Sequence, residues 1–289
     1  MYWFQSDVYA QVTAGVITGP QWAVVIDTLA LPDETLAMRS FIEEELSVPV
    51  RYIINTHNHA DHTWGNCFFP GATIIAHSLT GQIMAERGQT ALEAARKQNP
   101  AFKNVKIVLP HLTFDEGQIT LRVGKKNLVL FSTPGHSRDG ISVLVEEDRV
   151  LFAGDAFMPV PYVVDGNLDQ LSETMKSLGK MGLENIIQGH GDIILRGEID
   201  NAVKENVAYL SAVRKSVKAA LKRRNPLEAL SQVDIAACGK SRVYLGGLAE
   251  DLHRRNLRAV LKQIAEAEGI DLAAIVAIAQ QEQEYEEDV

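Results

Sequence analysis

A short stretch of this sequence concentrates side chains that bind metal ions. Segment Thr56–His62 (THNHADH) contains His57, His59, Asp61 and His62. Imidazole nitrogens and carboxylate oxygens are the usual ligands of zinc and similar divalent ions. Positions 57 and 59 alternate along an extended loop, so their imidazoles point to one side and can share an ion. Asp61 and His62 come slightly later and are placed to hold a second ion beside the first.

Three further ligands occur singly, each next to a glycine. They are His136 in Pro134-Gly135-His136, Asp155 in Ala153-Gly154-Asp155, and His190 in Gly189-His190-Gly191. A glycine has no side chain to obstruct the approach of the backbone to an ion. Together with the first segment, these residues predict two metal positions with a shared set of ligands.

These segments resemble, in order and spacing, the motifs of the metallo-β-lactamase superfamily. The stretch Trp22–Thr28 (WAVVIDT) also resembles the opening strand of that superfamily, and the resemblance extends over residues 8–195. It implies an α/β fold, namely an αββα sandwich with the site at the edge between two sheets. It also implies that Asp27 supports the ligand loop from behind.

The resemblance assigns the ligands to two ions. It implies that the first ion is held by His57, His59 and His136, the second by Asp61, His62 and His190, and that Asp155 bridges them. Zn²⁺ is the expected metal, with iron and manganese as alternatives. Two such ions lower the pKa of a shared water toward neutrality, and Asp61 is placed to orient that nucleophile and relay its proton.

Asp155 favours one branch of the superfamily. True metallo-β-lactamases lack a bridging aspartate here, whereas hydroxyacylglutathione hydrolases, lactonases and phosphodiesterase-like members have it. We therefore expect a hydrolase of an ester, thioester or lactone of a small molecule. An iron-dependent sulfur dioxygenase or oxidoreductase on the same fold is the alternative, as are β-lactamase and phosphodiesterase activities. The retained second-position histidines, His62 and His190, favour two metals and hydrolysis.

Four residues are expected to contact the substrate: Trp64, Met158, Tyr162 and His253. The first three flank the ligand segments and would form an apolar wall of the pocket. His253 would reach the pocket from the C-terminal helices, and residues 240–248 would form either a lid or an ordinary loop between helices. His77 and His111 match no motif and are expected to be structural.

The elements that position these residues follow from apolar periodicity. Strands are predicted at 8–12, 22–27, 50–55, 73–76, 119–123, 128–132, 141–145, 149–153 and 185–188, and helices at 33–45, 79–98 and 168–181. Apolar residues recur at helical spacing over 203–221, 257–264 and 272–279. We therefore predict a catalytic domain at 1–199 and a helical appendage at 200–289 that ends in an acidic tail.

Bulk composition excludes several classes of protein. The chain has 289 residues, of which 46% are hydrophobic, and a formal charge of −9, which argues against nucleic-acid and anionic-membrane partners. Cys67 and Cys238 form no CxxC pair and are expected to be free thiols. No apolar run approaches the ~20 residues of a membrane span. We expect a soluble cytoplasmic enzyme whose substrate is a small molecule. The apolar faces of the C-terminal helices could also form the interface of a homodimer.

Overall fold

Two six-stranded β-sheets pack face to face, and helices cover both outer faces, in a computed structural model that describes residues 1–271. The first sheet has the order β1-β2-β3-β4-β5-β6 and the second the order β12-β11-β10-β9-β8-β7. This is the αββα sandwich that the sequence predicts. The strands of the first sheet are β1 (Tyr2–Gln5), β2 (Thr13–Thr18), β3 (Ala23–Ile26), β4 (Val50–Ile54), β5 (Thr73–His77) and β6 (Leu112–Phe114).

The second sheet and the helices complete the fold. The strands are β7 (Gln118–Val123), β8 (Lys126–Ser132), β9 (Ile141–Val145), β10 (Val150–Gly154), β11 (Asn185–Gln188) and β12 (Ile194–Leu195). The helices are α1 (Pro32–Ser40), α2 (Ala60–Thr63), α3 (Ser78–Ile83), α4 (Gln89–Gln98), α5 (Leu168–Gly179), α6 (Ile199–Ala220), α7 (Pro226–Ser231) and α8 (Ala249–Glu268). Helix α1 continues into a π-helical turn, Phe41–Glu45, so the helix predicted to reach residue 45 is confirmed.

Strand β3 shows why the first sheet lies inside the molecule. Val24 and Ile26 contact the apolar residues of the second sheet, whereas Ala23 and Val25 contact those beneath α1. All four residues are buried, so both faces of the strand are covered. A strand covered on both faces needs a continuous apolar sequence, which is what Trp22–Asp27 provides.

The C-terminal helices cover the outer face of the second sheet. Leu210 and Val213 of α6 and Leu257 and Val260 of α8 belong to one apolar cluster with Leu151 of β10 and with α5. The apolar stripes that the periodicity predicts in 203–221 and 257–264 are therefore buried within the chain. The division of the chain at residue 199 stays a prediction, and the pattern at 272–279 and the acidic tail lie outside the described residues.

The predicted strand at 8–12 is wrong. Residues Ala10 and Gln11 have φ of 49° and 53°, in the left-handed region that strands do not use. The amide of Val12 donates to the carbonyl oxygen of Tyr9 at 3.0 Å and closes a turn. Strand β2 begins at Thr13, outside the predicted range, so the pattern did not predict β2, nor the short strands β1, β6 and β12.

Two smaller expectations concern the cysteines and membranes. Cys67 and Cys238 are both free thiols, as predicted. Over residues 1–271, no helix combines the length and the apolar character required to cross a bilayer.

Candidate metal centre

The predicted ligands converge because each follows the end of a strand at one edge of the sandwich. His57 and His59 follow β4 of the first sheet, and His59 is the N-cap residue of α2. His136, Asp155 and His190 follow β8, β10 and β11 of the second sheet. Strand ends are rigid, so loops that leave them hold side chains in fixed positions.

Seven residues form two groups of potential metal ligands. We call His57, His59, His136 and Asp155 the first cluster, and Asp61, His62 and His190 the second cluster. Within each cluster the ligand atoms lie within 4.8 Å of one another. The structure thus brings together all seven predicted ligands, in the grouping that the sequence implied.

The carboxylate of Asp155 lies between the two clusters. Its Oδ2 is 3.3 Å from Nε2 of His136 and 3.7 Å from Nε2 of His57, both in the first cluster. Its Oδ1 is 3.2 Å from Nε2 of His62 and 3.5 Å from Nε2 of His190, both in the second. One carboxylate oxygen therefore faces each cluster, which is the geometry that a bridging ligand needs.

Two histidines are held from behind by carboxylates. Nδ1 of His62 is 2.9 Å from Oδ2 of Asp27, and Nε2 of His59 is 2.8 Å from Oδ2 of Asp165. Asp27 also accepts hydrogen bonds from the backbone amide and the hydroxyl of Thr56, at 2.8 and 2.7 Å. Asp27 therefore supports the ligand loop as expected, and such contacts fix ring orientation and tautomer in metal sites.

Two other histidines are held by backbone carbonyl oxygens. Nδ1 of His136 lies 2.8 Å from the carbonyl oxygen of Tyr162, and Nδ1 of His190 lies 2.8 Å from that of Ala10. Because a carbonyl only accepts, each Nδ1 carries a proton, and Nε2 is the ring nitrogen that faces the clusters. The left-handed conformation of Ala10 therefore contributes to the site, since it directs the carbonyl oxygen of Ala10 toward Nδ1 of His190.

Three of the buried candidate ligand atoms make no hydrogen bond within the described part of the chain. Among residues 1–271, Nε2 of His57, Nε2 of His62 and Oδ1 of Asp155 are buried and make no hydrogen bond. Unsatisfied buried polar atoms are costly and call for a ligand. Three such atoms converge between the clusters, so the donor set fits divalent metal ions.

Glycine is required at position 189 because the carboxylate of Asp155 lies so close to it. A Cβ at Gly189 would lie 1.9 Å from Oδ1 of Asp155 and 2.8 Å from its amide nitrogen. The amide of Gly189 donates to the carbonyl oxygen of Gly154 at 2.8 Å, and Gly154 itself has a φ of 51°. The glycines beside the ligands thus permit close backbone packing around Asp155.

Burial and charge act in opposite directions on the histidines. Burial lowers the pKa of His136 to about 4 and holds that of His57 well below its usual value. Burial also opposes the charge on His190, but the carboxylates of Asp155 and Asp61 outweigh it and raise the pKa to about 10. A metal ion bound at Nε2 of His190 would displace a proton from that ring.

A cavity of about 410 Å³ opens in front of the ligands. It is lined by four ligand residues and by side chains from three other parts of the chain, including Tyr9, Met158, Tyr162, Leu245, Leu248 and Arg255. Met158 and Tyr162 thus lie where the sequence placed them, and their contact with a substrate stays a prediction. Burial and the charge of Asp61 raise the pKa of Tyr9 to about 12, so its hydroxyl remains a proton donor.

The predicted position of His253 is wrong. Its side chain is 1% exposed and does not line the cavity. Nδ1 of His253 lies 2.9 Å from the hydroxyl oxygen of Tyr209 on α6. Helical periodicity explains the difference, because Leu248, Asp251 and Arg255 share the face of α8 that borders the cavity and His253 lies on another face.

Trp64 does not line this cavity either. It lies in a 3₁₀ turn after α2, is 7% exposed, and packs edge-to-face against Phe102 with ring centroids 4.8 Å apart. Trp64 instead lines a separate cavity of about 350 Å³, which His59 also lines.

The two histidines expected to be structural make local backbone contacts. Nδ1 of His77 accepts the amide of Leu79 at the start of α3, and Nδ1 of His111 accepts the amide of Ile74. Three residues of the site were missed: Asp165, Tyr9 and Arg255. Each lies in no motif, and only the tertiary fold brings it to the ligands.

Comparisons with known proteins agree with this geometry. A family model described as the metallo-beta-lactamase superfamily matches residues 9–229. The Beta-lactamase-like protein 2 homolog of Caenorhabditis elegans is 23% identical over 186 residues, which are 64% of this chain and 56% of that protein. Thioesterase pkgB of Emericella nidulans is 26% identical over 179 residues, which are 61% of this chain and 41% of that protein. The chain spans about half the length of these curated relatives.

A solved structure resembles the chain over nearly its whole length. A metallo-beta-lactamase family protein from Thermus thermophilus superposes with a TM-score of 0.68 at 18% identity. The match covers 92% of this chain and 94% of that one. At this identity the likeness concerns the fold alone.

Proposed function

This chain belongs to the metallo-β-lactamase superfamily, and on that premise we propose that it is a dinuclear metal-dependent hydrolase of a small-molecule ester, thioester or lactone. The observation that carries the proposal is the carboxylate of Asp155, which presents one oxygen to each cluster. A single-metal enzyme would have no need of a carboxylate placed between two sets of histidines. The existence of a thioesterase among the relatives supports an acyl substrate.

The first cluster and the second cluster would each hold one ion, with Asp155 common to both. Zn²⁺ fits the set of imidazole and carboxylate ligands, and iron and manganese accept the same donors. When bound, such a pair activates a water molecule and polarises a carbonyl group.

Asp61 is the group that would handle the proton of the attacking water. Its Oδ2 lies 3.3 Å from Nε2 of His190, at the wall of the cavity. Burial opposes the charge on Asp61, but the neighbouring histidines His62 and His190 outweigh it and hold the pKa of Asp61 well below its usual value, so the carboxylate is ionised and can accept a hydrogen bond from the water. Tyr9 and Tyr162 line the same cavity, and their hydroxyls would donate to a substrate oxygen.

Metal analysis tests the proposal directly. Protein purified without chelators is expected to contain close to two ions per chain, and Asp155→Ala is expected to lose metal and hydrolysis together because the bridge sets the spacing of the two positions. Glu173→Ala removes a carboxylate from the exposed face of α5 and serves as the matched control. A reproducible single iron per chain, with oxygen consumed in the presence of a persulfide, would instead identify a sulfur dioxygenase.

The substrate class is best found by parallel assay. A thioester, a lactone, a phosphodiester and a chromogenic β-lactam should be compared on one preparation of known metal content. We expect turnover of the thioester or the lactone to exceed that of the other two. Turnover of the β-lactam or the phosphodiester alone would refute the substrate class while leaving the metal centre in place.

A further inference from the structure

Helix α8 is hydrogen-bonded to the loop between β10 and α5 by a fully buried amide. The side chain of Asn256 is 0% exposed. Its Nδ2 donates to the carbonyl oxygen of Pro161 at 2.7 Å, and its Oδ1 accepts the amide of Val163 at 3.0 Å. The two contacts lie on either side of Tyr162, so they define the direction of the backbone at that residue.

A second amide of α8 holds the end of the same loop. Nε2 of Gln263 donates to the carbonyl oxygen of Gly166 at 3.1 Å, and its Oε1 accepts the amide of Leu168 at 3.3 Å. Gln263 follows Asn256 by seven residues and so lies two helical turns further along the same face. The loop is therefore held at two points by one rigid helix.

This loop supports two histidines of the first cluster. The carbonyl oxygen of Tyr162 accepts Nδ1 of His136, and the carboxylate of Asp165 contacts Nε2 of His59, both at 2.8 Å. The opposite nitrogens of these rings, Nε2 of His136 and Nδ1 of His59, are only 3.0 Å apart. A shift of the loop would therefore tilt both rings at the point where they meet.

The second cluster is supported by other parts of the chain. His62 is held by Asp27 at the end of β3, and His190 by the carbonyl oxygen of Ala10 in the N-terminal turn. Neither support belongs to the loop held by α8. Among residues 1–271, Asp155 of the first cluster is the ligand that also faces the second, so a disturbance of α8 should reach the first cluster much more than the second.

The surroundings of Asn256 argue against a purely stabilising role. It lies among the apolar residues that join α6 and α8, and its Nδ2 also lies 3.1 Å from the hydroxyl of Tyr209. Tyr209 in turn contacts His253, which explains the burial of that histidine. A buried polar network gains little stability over apolar packing, but it holds its members in one orientation.

We propose that Asn256 and Gln263 are positioning residues that set the geometry of the first cluster through the loop of Tyr162 and Asp165. This inference rests on the proposed function, since it concerns the affinity of one of two metal positions. Ring orientation governs that affinity, and loss of a supporting contact behind a ligand typically weakens binding by about 10- to 100-fold.

The experiment measures metal affinity one cluster at a time. Co²⁺ is titrated into His190→Ala, in which only the first cluster is complete, and into His57→Ala, in which only the second is. Asn256→Leu, which keeps a similar volume, is added to each. We expect affinity to fall by about 10-fold or more in the His190→Ala background and to change less than about 2-fold in the His57→Ala background.

Two further variants keep the test decisive. Gln263→Leu alters a half-buried position and should give the same selective loss if Asn256→Leu does not fold. Lys262→Ala changes an exposed residue of the same helix and should have no effect in either background. Equal weakening of both clusters, unchanged affinity, or failure of both leucine variants to fold would each overturn the proposal. Wild-type protein that binds no metal would refute the proposed function instead.

Discussion

The single carboxylate of Asp155 lies close to histidines of both clusters, and these histidines determine its protonation. Burial alone would raise the pKa of this carboxyl, but His190, His62 and the other ligand histidines reverse the effect and hold the pKa well below its usual value. The carboxylate is therefore ionised and needs no displacement of a proton before it binds a metal ion. At this scale the chemistry depends on atoms placed within a few tenths of an ångström, which makes single substitutions informative.

Asp61→Asn should retain much of the metal and lose most of the rate. The amide still offers an oxygen, but it cannot accept a proton, and general-base groups typically contribute about 10²- to 10⁴-fold. We expect kcat to fall by about 100-fold or more, measured beside metal content in the same preparation. Asp251→Asn makes the same change at a carboxylate of the cavity wall that is not a ligand, and should have little effect. A fully active Asp61→Asn would show that another group moves the proton.

Gly189→Ala should damage the metal centre although no ligand is changed. The added methyl group would meet Oδ1 of Asp155 at 1.9 Å, so this carboxylate or the backbone beside it must move. We expect metal content to fall below one ion per chain, as measured by elemental analysis. Gly197→Ala is the matched control, because a Cβ at Gly197 meets nothing within 4 Å. Normal metal content in Gly189→Ala would mean that Asp155 is less closely held than its contacts indicate.

Secondary-structure elements were predictable where their side chains are buried on both faces, or on one face so that apolar residues alternate along the strand. The apolar run at Trp22–Asp27 predicts β3, because a strand between a sheet and a layer of helices needs such a run. The short strands β1, β6 and β12 have two to four residues, too few for a periodic pattern to be recognised. The pattern predicts a strand at the turn of Ala10 and Gln11, since β-prone residues flank it and no glycine marks its left-handed conformation.

The candidate site also has a part that the sequence predicts and a part that it does not. The seven ligands were predictable because each stands beside a strand end and follows a known spacing, whereas their supports are often backbone atoms. The carbonyl oxygens of Ala10 and Tyr162 hold two ligands, and a carbonyl oxygen leaves no trace in residue type. His253 was misplaced for a related reason, because periodicity identifies the face of a helix but not what that face contacts.

The segment between α7 and α8, which contributes Leu245 and Leu248 to the cavity wall, is anchored by a buried lysine. Nζ of Lys240 donates to Oδ1 of Asn206 on α6 at 2.6 Å, and Asn206 Nδ2 donates to the carbonyl oxygen of Met158 at 3.3 Å. Burial lowers the pKa of Lys240 from 10.5 to about 8. This anchor therefore links the segment to a residue of the cavity wall.

The Lys240 anchor predicts a specific dependence of stability on pH. The unfolded chain binds the proton more tightly than the folded chain, so stability falls as pH decreases from 10.5 to about 8 and is unaffected below that. From this group, the free energy of unfolding at pH 10.5 would exceed that at pH 8 by at most about 3 kcal/mol. Urea unfolding of wild type and Lys240→Met at pH 7.5, 8.5 and 9.5 should show wild type gaining relative to the variant as pH rises. A constant difference would place the charge of Lys240 in contact with water, and Lys262→Met controls for an exposed lysine.

The molecule as a whole is expected to fold without metal and to be stabilised by it. Apolar clusters lie between the sheets and beneath both helical layers, so the core does not depend on the site. Each ion present at about 1,000 times its dissociation constant would add about 4 kcal/mol. Dialysis against a chelator should lower Tm by roughly 10 °C or more while leaving the far-ultraviolet circular dichroism unchanged, and Zn²⁺ should restore it. Loss of the dichroism signal on chelation would show that the fold itself requires the ions.

Each cluster takes its candidate ligands from both sheets, so bound ions would affect how the two sheets separate during unfolding. His57 and His59 extend from the first sheet and His136 from the second, while His62 and His190 divide in the same way across the second cluster. An ion bound to either group would act as a reversible cross-link that closes a long loop of the chain, as a disulfide does. The two sheets could then separate only after a ligand releases its ion. The rate of metal dissociation would therefore limit the rate of unfolding and set the lifetime of the protein during proteolysis.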